Sequence, residues 1–274
     1  MESSNGDKGP DNVLSDGAYG VFEGAVEDRV VMDEYRRLGT WAPELVSLLT
    51  RLFAGGSGTL IDVGANIGLV SIPVLERSTA LGIAFEPEPR NFGLLSRNLA
   101  RHGLERRIEC HELACHSTAG RLPLALSPDN LGDHRLQRGA PGRDRRIIQV
   151  GTQRLDALLR GRDLERPVVI KVDVQGSEVG VFEGAPETLA RTDYLVTEYW
   201  PEGIVAHGDS AQRFADIMRG FQFGAVLHVL PLPQPLNTAQ YVFEQLSWIA
   251  NDGSDPGFFD LLFSRHMILP TFQC

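Results

Sequence analysis

Four acids stand at or near the ends of apolar runs in this chain: Asp62 in "TLIDV", Glu86 after "LGIAF", Asp173 in "VVIKVDV" and Glu198 in "YLVTEYW". A carboxylate at a strand end can accept hydrogen bonds, hold a cation or take a proton, and it can equally open a turn or cap a helix. Four at corresponding positions point to a shared polar ligand. The turn after Asp62 reads Gly64-Ala65-Asn66-Ile67-Gly68. Its glycines let the backbone approach a ligand closely, and a helix expected from about residue 68 aims its free N–H groups at the same place.

The spacing narrows the ligand. A dinucleotide fingerprint, G-x-G-x-x-G, needs a middle glycine to admit a pyrophosphate, and Asn66 stands there instead. An amino acid end suits this turn better. Asp62 would take its ammonium, directly or through water, and the N–H groups of Gly64, Ala65, Asn66 and Gly68 its carboxylate. Glu86, 18 residues past Gly68 and followed by Pro87, would accept the two hydroxyls of a ribose. "ELAC" would pass an adenine, with Leu113 or Ala114 against its ring. Amino acid plus ribose describes S-adenosylmethionine.

Lys171 and Asp173 are two apart on one strand, so their side chains emerge on the same face. A lysine inside an apolar run needs a partner. The pair either pins the strand end or, with Asp173 also beside the methyl donor, holds that carboxylate toward a methyl acceptor. For a hydroxyl acceptor someone must remove a proton, and His134, in the Gly-, Pro- and Arg-rich stretch "LSPDNLGDHRLQRGAPGRDRR", titrates in the right range for a general base. Five arginines between Arg135 and Arg146 could clamp an acidic group of the substrate, or be a solvated charge run. Cys110, His111, Cys115 and His116 cluster, but neighbours on a strand face opposite sides. No metal is expected.

These residues need a scaffold that gathers strand ends. "APELVSLLTRLF" carries Leu45, Leu48, Leu49 and Leu52 at helical spacing. Strands are expected at 59–63, in "LGIAFEP", "RIECHEL", "RRIIQV", "PVVIKVDVQG", "DYLVTEYW" and "FGAVLHVL". Helices alternate with them in "EPRNFGLLSRNLARHG", "RLDALLRG", "SEVGVFEGAPETLAR" and at 210–220, while "PLPQPLNTAQ" is a loop. Alternation of this kind builds βαβ units and a mostly parallel sheet. In such sheets ligands sit beyond the carboxyl ends of the strands, where strand order reverses.

Length and composition agree with an α/β protein of 274 residues: a tail over 1–12, an extension over 13–58 on the substrate side and the main domain over 59–274. No apolar stretch is long enough to span a bilayer, and the polar start "MESSNGDKGPDN" lacks the apolar core of a secretory signal. Three cysteines make no disulfide framework, which suits the cytoplasm. A net charge of −10 argues against nucleic acid as partner. Trp41, Tyr199, Trp200, Phe221 and Trp248 are candidates for an apolar acceptor pocket.

The stretches "LIDVGANIGLVSI", "GIAFEPEPRNFGLLSRNL", "RLDALL" and "VVIKVDVQGSEVGVFEGA" are similar, in order and spacing, to the FkbM family of S-adenosylmethionine-dependent methyltransferases. The resemblance covers roughly residues 35–200. It implies a class I methyltransferase fold, a Rossmann-like three-layer sandwich, and O-methylation of a small molecule such as a secondary metabolite or a sugar. Gln175 departs from the family pattern, which usually has an acid there, and is given no catalytic role. Open alternatives are an N-, carboxyl- or macromolecule-directed methyltransferase, a nicotinamide-dependent oxidoreductase, and a non-catalytic cofactor-binding module.

Overall fold

A computed structural model describes residues 11–54, 56–137, 145–227, 237–238, 242 and 257–266. Trp248, Arg138, Arg143 and the main-domain segments beyond these bounds lie outside the described residues, as does most of the 1–12 tail. The N-terminal extension begins with a hairpin, β1 (Asn12–Gly17) and β2 (Gly20–Ala25). Two helices follow, α1 (Val31–Leu38) and α2 (Pro43–Leu52). Asp28 starts α1: its carboxylate accepts from the N–H groups of Val30, Val31 and Met32, which have no helical acceptor. Phe22, Met32, Tyr35 and Leu49 from this extension are fully buried in the same cluster as Leu60, Leu94 and Val196.

The α/β alternation holds. Next come β3 (Thr59–Val63), α3 (Ser71–Glu76), β4 (Leu81–Phe85), α4 (Pro89–Arg101) and β5 (Ile108–His111). Then β6 (Ala114–Cys115), β7 (Gly120–Leu126), β8 (Arg135–Leu136) and β9 (Arg146–Gln153) form a separate four-stranded sheet, ordered β6-β9-β7-β8. The chain returns through α5 (Leu155–Leu158) to β10 (Val168–Val172), α6 (Glu178–Glu183), α7 (Pro186–Arg191) and β11 (Tyr194–Tyr199). It continues with α8 (Pro201–Ala206), α9 (Ala211–Met218), β12 (Phe223–Val226), β13 (Asn237–Thr238) and β14 (Phe259–Ser264). The main sheet runs β13-β12-β14-β11-β10-β3-β4-β5. Its β11-β10-β3-β4-β5 core is parallel, and β14 enters antiparallel between β11 and β12.

The chain winds from β3 outward to β5, then returns to lay β10 on the other side of β3. Strand order therefore reverses between β3 and β10, the position where such sheets open a crevice. Three expected elements differ, the first being the expected loop "PLPQPLNTAQ", which holds the short strand β13 at Asn237–Thr238. The helix expected from about residue 68 begins at Ser71, because Asn66–Val70 forms tight turns first. "SEVGVFEGAPETLAR" divides into α6 and α7, because Pro186 cannot donate to a continuing helix. Among the described residues no helix is long and apolar enough to cross a membrane.

Candidate active site

The strand ends at the β3/β10 reversal open on a cavity of about 710 Å³. Gly64, Ala65 and Asn66 form part of its wall, with Glu86 and Pro87 beside them. Gly64 N and Ala65 N both donate to Phe85 O, at 2.9 and 3.0 Å, which ties the turn to the end of β4. Glu86 is almost fully buried at this point. Its Oε2 accepts from Asn66 N and its Oε1 from Glu88 N, both at 2.9 Å, leaving further lone pairs for a ligand. Burial pushes this carboxyl up to about 7, with the two N–H donors pulling the other way. Asn66, at φ 50°, has a buried Oδ1 with no hydrogen-bond partner among the described residues. Leu113 and Ala114 line the cavity further along.

Asp62 and Gly68 do not reach the cavity wall. Asp62 faces Lys171 on the neighbouring strand, register partner to partner, with Nζ 3.1 Å from Oδ1, and Ser71 Oγ donates to its Oδ2. It is therefore occupied, and a direct hold on a ligand ammonium is not its place in the fold. Gly68, at φ 93°, is required by packing: a Cβ there would stand 2.8 Å from Ile72 Cδ1 and 2.9 Å from Leu95 Cδ1. Gly64, at φ 84°, has Asp173 O pressed against its Cα, so a side chain would collide with the backbone across the strands. Both glycines serve the protein's own close contacts.

Lys171 is buried and belongs first to Asp62; Asp173 Oδ2 is farther, at 3.8 Å. Its Nζ also donates to Gly64 O at 2.8 Å. Burial works against the ammonium, but Asp62 and Asp173 outweigh it and hold the group above its ordinary value. Asp173 stays 42 % exposed on the wall, so it can meet a ligand. Beside it lie Gln175 and Glu198, also on the wall.

His134 lines the cavity, but its chemistry differs from expectation. Its Nδ1 accepts from Ser127 N at 3.0 Å, so the neutral ring carries its proton on Nε2. Burial, then the Arg145 guanidinium, lowers its pKa to about 4. With the lone pair used and basicity reduced, the ring suits donating a hydrogen bond better than accepting a proton. Arg135 and Arg145 both pair with Asp133, and Arg135 lies 4.3 Å over the Trp200 ring. Trp41 and Trp200 line the cavity, whereas Tyr199 and Phe221 are core. Sequence reasoning passed over Asn91 as well. It is buried on the wall, holds Leu131 O through Nδ2 at 2.9 Å and presents an Oδ1 with no hydrogen-bond partner among the described residues, an arrangement that depends on a loop 40 residues away.

Residues 62–242 match the methyltransferase FkbM domain. The chain belongs to the FkbM methyltransferase family. It is an enzyme of the methyltransferase class, and S-adenosylmethionine is its cofactor. Methyltransferase sdnD of Sordaria araneosa is 33% identical over 177 residues, covering 53% of this chain and 68% of that protein. The 2-O-methyltransferase NoeI of Sinorhizobium fredii is 27% identical over 196 residues, covering 66% and 78%. An FkbM methyltransferase structure from Methylobacillus flagellatus is similar at 15% identity with a TM-score of 0.47; the match covers 78% of this chain and 47% of that one. The cavity fits the cofactor's chemistry: a carboxylate for a ribose at Glu86, an unpartnered amide oxygen at Asn66 and an apolar flank at Leu113 and Ala114.

The buried acids make stability depend on pH. Burial lifts Glu86 and Glu178 to about 7, and burial with Asp173, Glu178 and Asp260 lifts Glu198 to about 9. Unfolded glutamates titrate near 4.3, so above that pH the folded state binds more protons and loses stability as pH rises. His134 acts oppositely between about 4 and 6.5, because its unfolded ring takes up the proton first. Three acids against one histidine leave a net loss, on the order of 2 kcal/mol for Glu86 alone. The melting temperature is expected to fall between pH 5.5 and 8.5, and Glu86→Gln should flatten the part below pH 7. A scan that rises over this range would contradict the assignment.

Proposed function

We propose that this enzyme methylates a hydroxyl of an uncharged, largely apolar small molecule, of the secondary-metabolite class such as a polyketide, or a sugar derivative. The observation that carries this reading is the exposed Asp173 carboxylate, set in a cavity also lined by Val31, Trp41, Leu45 and Leu131. Bound in the cavity, the cofactor supplies a methyl group on a positively charged sulfur, which leaves alignment and proton removal to the protein.

Glu86 would hold the ribose hydroxyls and Asn66 Oδ1 the amino acid ammonium in place of Asp62, whereas the N–H groups of Gly64, Ala65, Asn66 and Gly68 donate to Phe85 O, Glu86 and Ala65 O and so do not take the carboxylate. Asp173 would orient the acceptor hydroxyl. His134, with its proton on Nε2, would donate a hydrogen bond to the acceptor. Charge on the wall supports a neutral acceptor. Glu34 and the exposed Asp173 line the cavity, whereas its cations Lys171 and Arg135 are each paired with an acid. An anionic acceptor would meet carboxylates there and no unpaired cation among the described lining residues. The printed activity of the NoeI relative, a 2-O-methyltransferase, is in keeping with an oxygen acceptor. The net charge of −10 speaks against nucleic acid, and the reading places the enzyme in the cytoplasm without a membrane partner.

Incubation with isotope-labelled S-adenosylmethionine and paired acceptors, each a neutral hydroxylated compound and its phosphorylated counterpart, tests the reading. Label should appear as an O-methyl ether, at least about tenfold faster on the neutral member. Transfer to nitrogen or carboxylate, or preference for the phosphorylated member, would overturn it.

A further inference from the structure

Gln175 joins two carboxylates that face the cavity. Its Nε2 donates to Asp173 Oδ1 at 2.8 Å and to Glu198 Oε2 at 3.2 Å. The backbone at Gln175 is left-handed, with φ 54°, which a residue with a side chain holds where its surroundings enforce it. Glu178 enforces it here. Its buried Oε1 accepts from Val174 N at 3.1 Å and from Gly176 N at 3.2 Å, pinning the residues on either side. The amide is thereby presented to one acid at the end of β10 and another on β11.

Carboxylates brought together across one donor resist ionising together, and their protons belong to the pair. Glu198 is faced by Asp173 and by Glu178 from α6, and Asp260 is its register partner on β14. The Lys171 ammonium on β10 opposes these three. Burial and the acids together push Glu198 up to about 9.

We propose that Gln175 binds Asp173 and Glu198 into one proton-accepting pair for the methyl acceptor, with Gln175 as its positioning residue. This rests on the hydroxyl reading above. As the acceptor's O–H bond breaks, its proton passes to a carboxylate oxygen of the pair. The oxygen lone pair forms the new bond to the methyl carbon, and the electrons of the methyl–sulfur bond leave with sulfur, which becomes neutral. Burial, Asp173 and Glu178 raise the basicity of Glu198, which a lone exposed carboxylate would lack.

Infrared-monitored pH titration of the donor-free protein, using Glu198→Gln as the difference reference, reads the protonation of Glu198 directly. The signal should titrate in the alkaline range. Gln175→Met, which keeps length and removes the donor, should move it upward by about one pH unit, because a hydrogen bond to the ionised form is lost. The rising limb of the pH–rate profile should move with it, and Glu198→Gln should lower turnover at least about tenfold with donor affinity kept. Titration of Glu198 in the ordinary carboxyl range, or a Gln175→Met variant that moves neither the titration nor the profile, would overturn the pair. A Glu198→Gln enzyme that still forms the O-methyl ether at full rate would overturn the pair and leave the hydroxyl reading standing. Transfer to nitrogen would instead remove the hydroxyl reading, while the titration would still decide whether the carboxylates are coupled.

Discussion

Asp173→Asn should lower turnover by about 10²-fold or more while S-adenosylhomocysteine affinity stays within a few-fold. The substitution keeps shape and removes the negative charge and the proton-accepting oxygen. Its structural cost should be small. Lys171 has Asp62 closer, at 3.1 Å against 3.8 Å, and the Asp173 side chain is 42 % exposed. A partly solvated ion pair at that distance contributes less than about 1 kcal/mol, so the melting temperature should move by a few degrees at most. Calorimetric binding of S-adenosylhomocysteine, single-turnover rates and a thermal scan on one preparation separate three outcomes. Equal losses of affinity and rate would make Asp173 a cofactor ligand. A collapse of stability with proportional loss of rate would make it a strand-end pin. Loss of rate alone is the expected result.

What could be read from the sequence was whatever local pattern encodes. Strand β3 and its turn, the acid at the end of β4, and the Lys171-x-Asp173 spacing on β10 all stand where residue type and period put them. A strand buried on both faces reads as an unbroken apolar run, so its interruptions by charge stand out. What depends on strand order was not readable. Lys171 meets Asp62 because β10 lies beside β3, and no spacing along the chain states that adjacency. The expected Lys171–Asp173 pair is consequently the longer of the two contacts. The proton placement on His134 likewise turned on a single donor, Ser127 N, seven residues away. Residue type suggested a base, and the backbone bond to Nδ1 leaves Nε2 carrying the proton of the neutral ring. Of the second sheet, "RRIIQV" was read as a strand and is β9, but β7 was not read, and β6 and β8 are two residues long, too short for any period to register. Gln175 was set aside because it departs from the family pattern, yet an amide between two carboxylates supplies a donor that an ionised acid in its place could not.

Lys171→Met is expected to cost about 3–5 kcal/mol of folding stability, because it strands a buried carboxylate. Asp62 is 1 % exposed, and its remaining named donor is the Ser71 hydroxyl. The lysine also donates to Gly64 O at 2.8 Å, where the turn leaves β3, so the same substitution loosens the wall against which the cofactor rests. The methionine fills the lysine stem's volume and lacks its charge, so packing is not the main loss. A second substitution isolates the electrostatic part. Asp62→Asn in the Lys171→Met background removes the stranded charge, and an amide can still accept from Ser71 Oγ. If the buried ion pair is the cause, the double variant should recover at least half of the lost stability, since removing both partners is far cheaper than removing one. Denaturant melts of the wild type, both single variants and the double variant give that coupling directly. Additive losses, with no recovery in the double variant, would show that Lys171 stabilises β10 through Gly64 and packing, and that Asp62 tolerates burial through Ser71 alone.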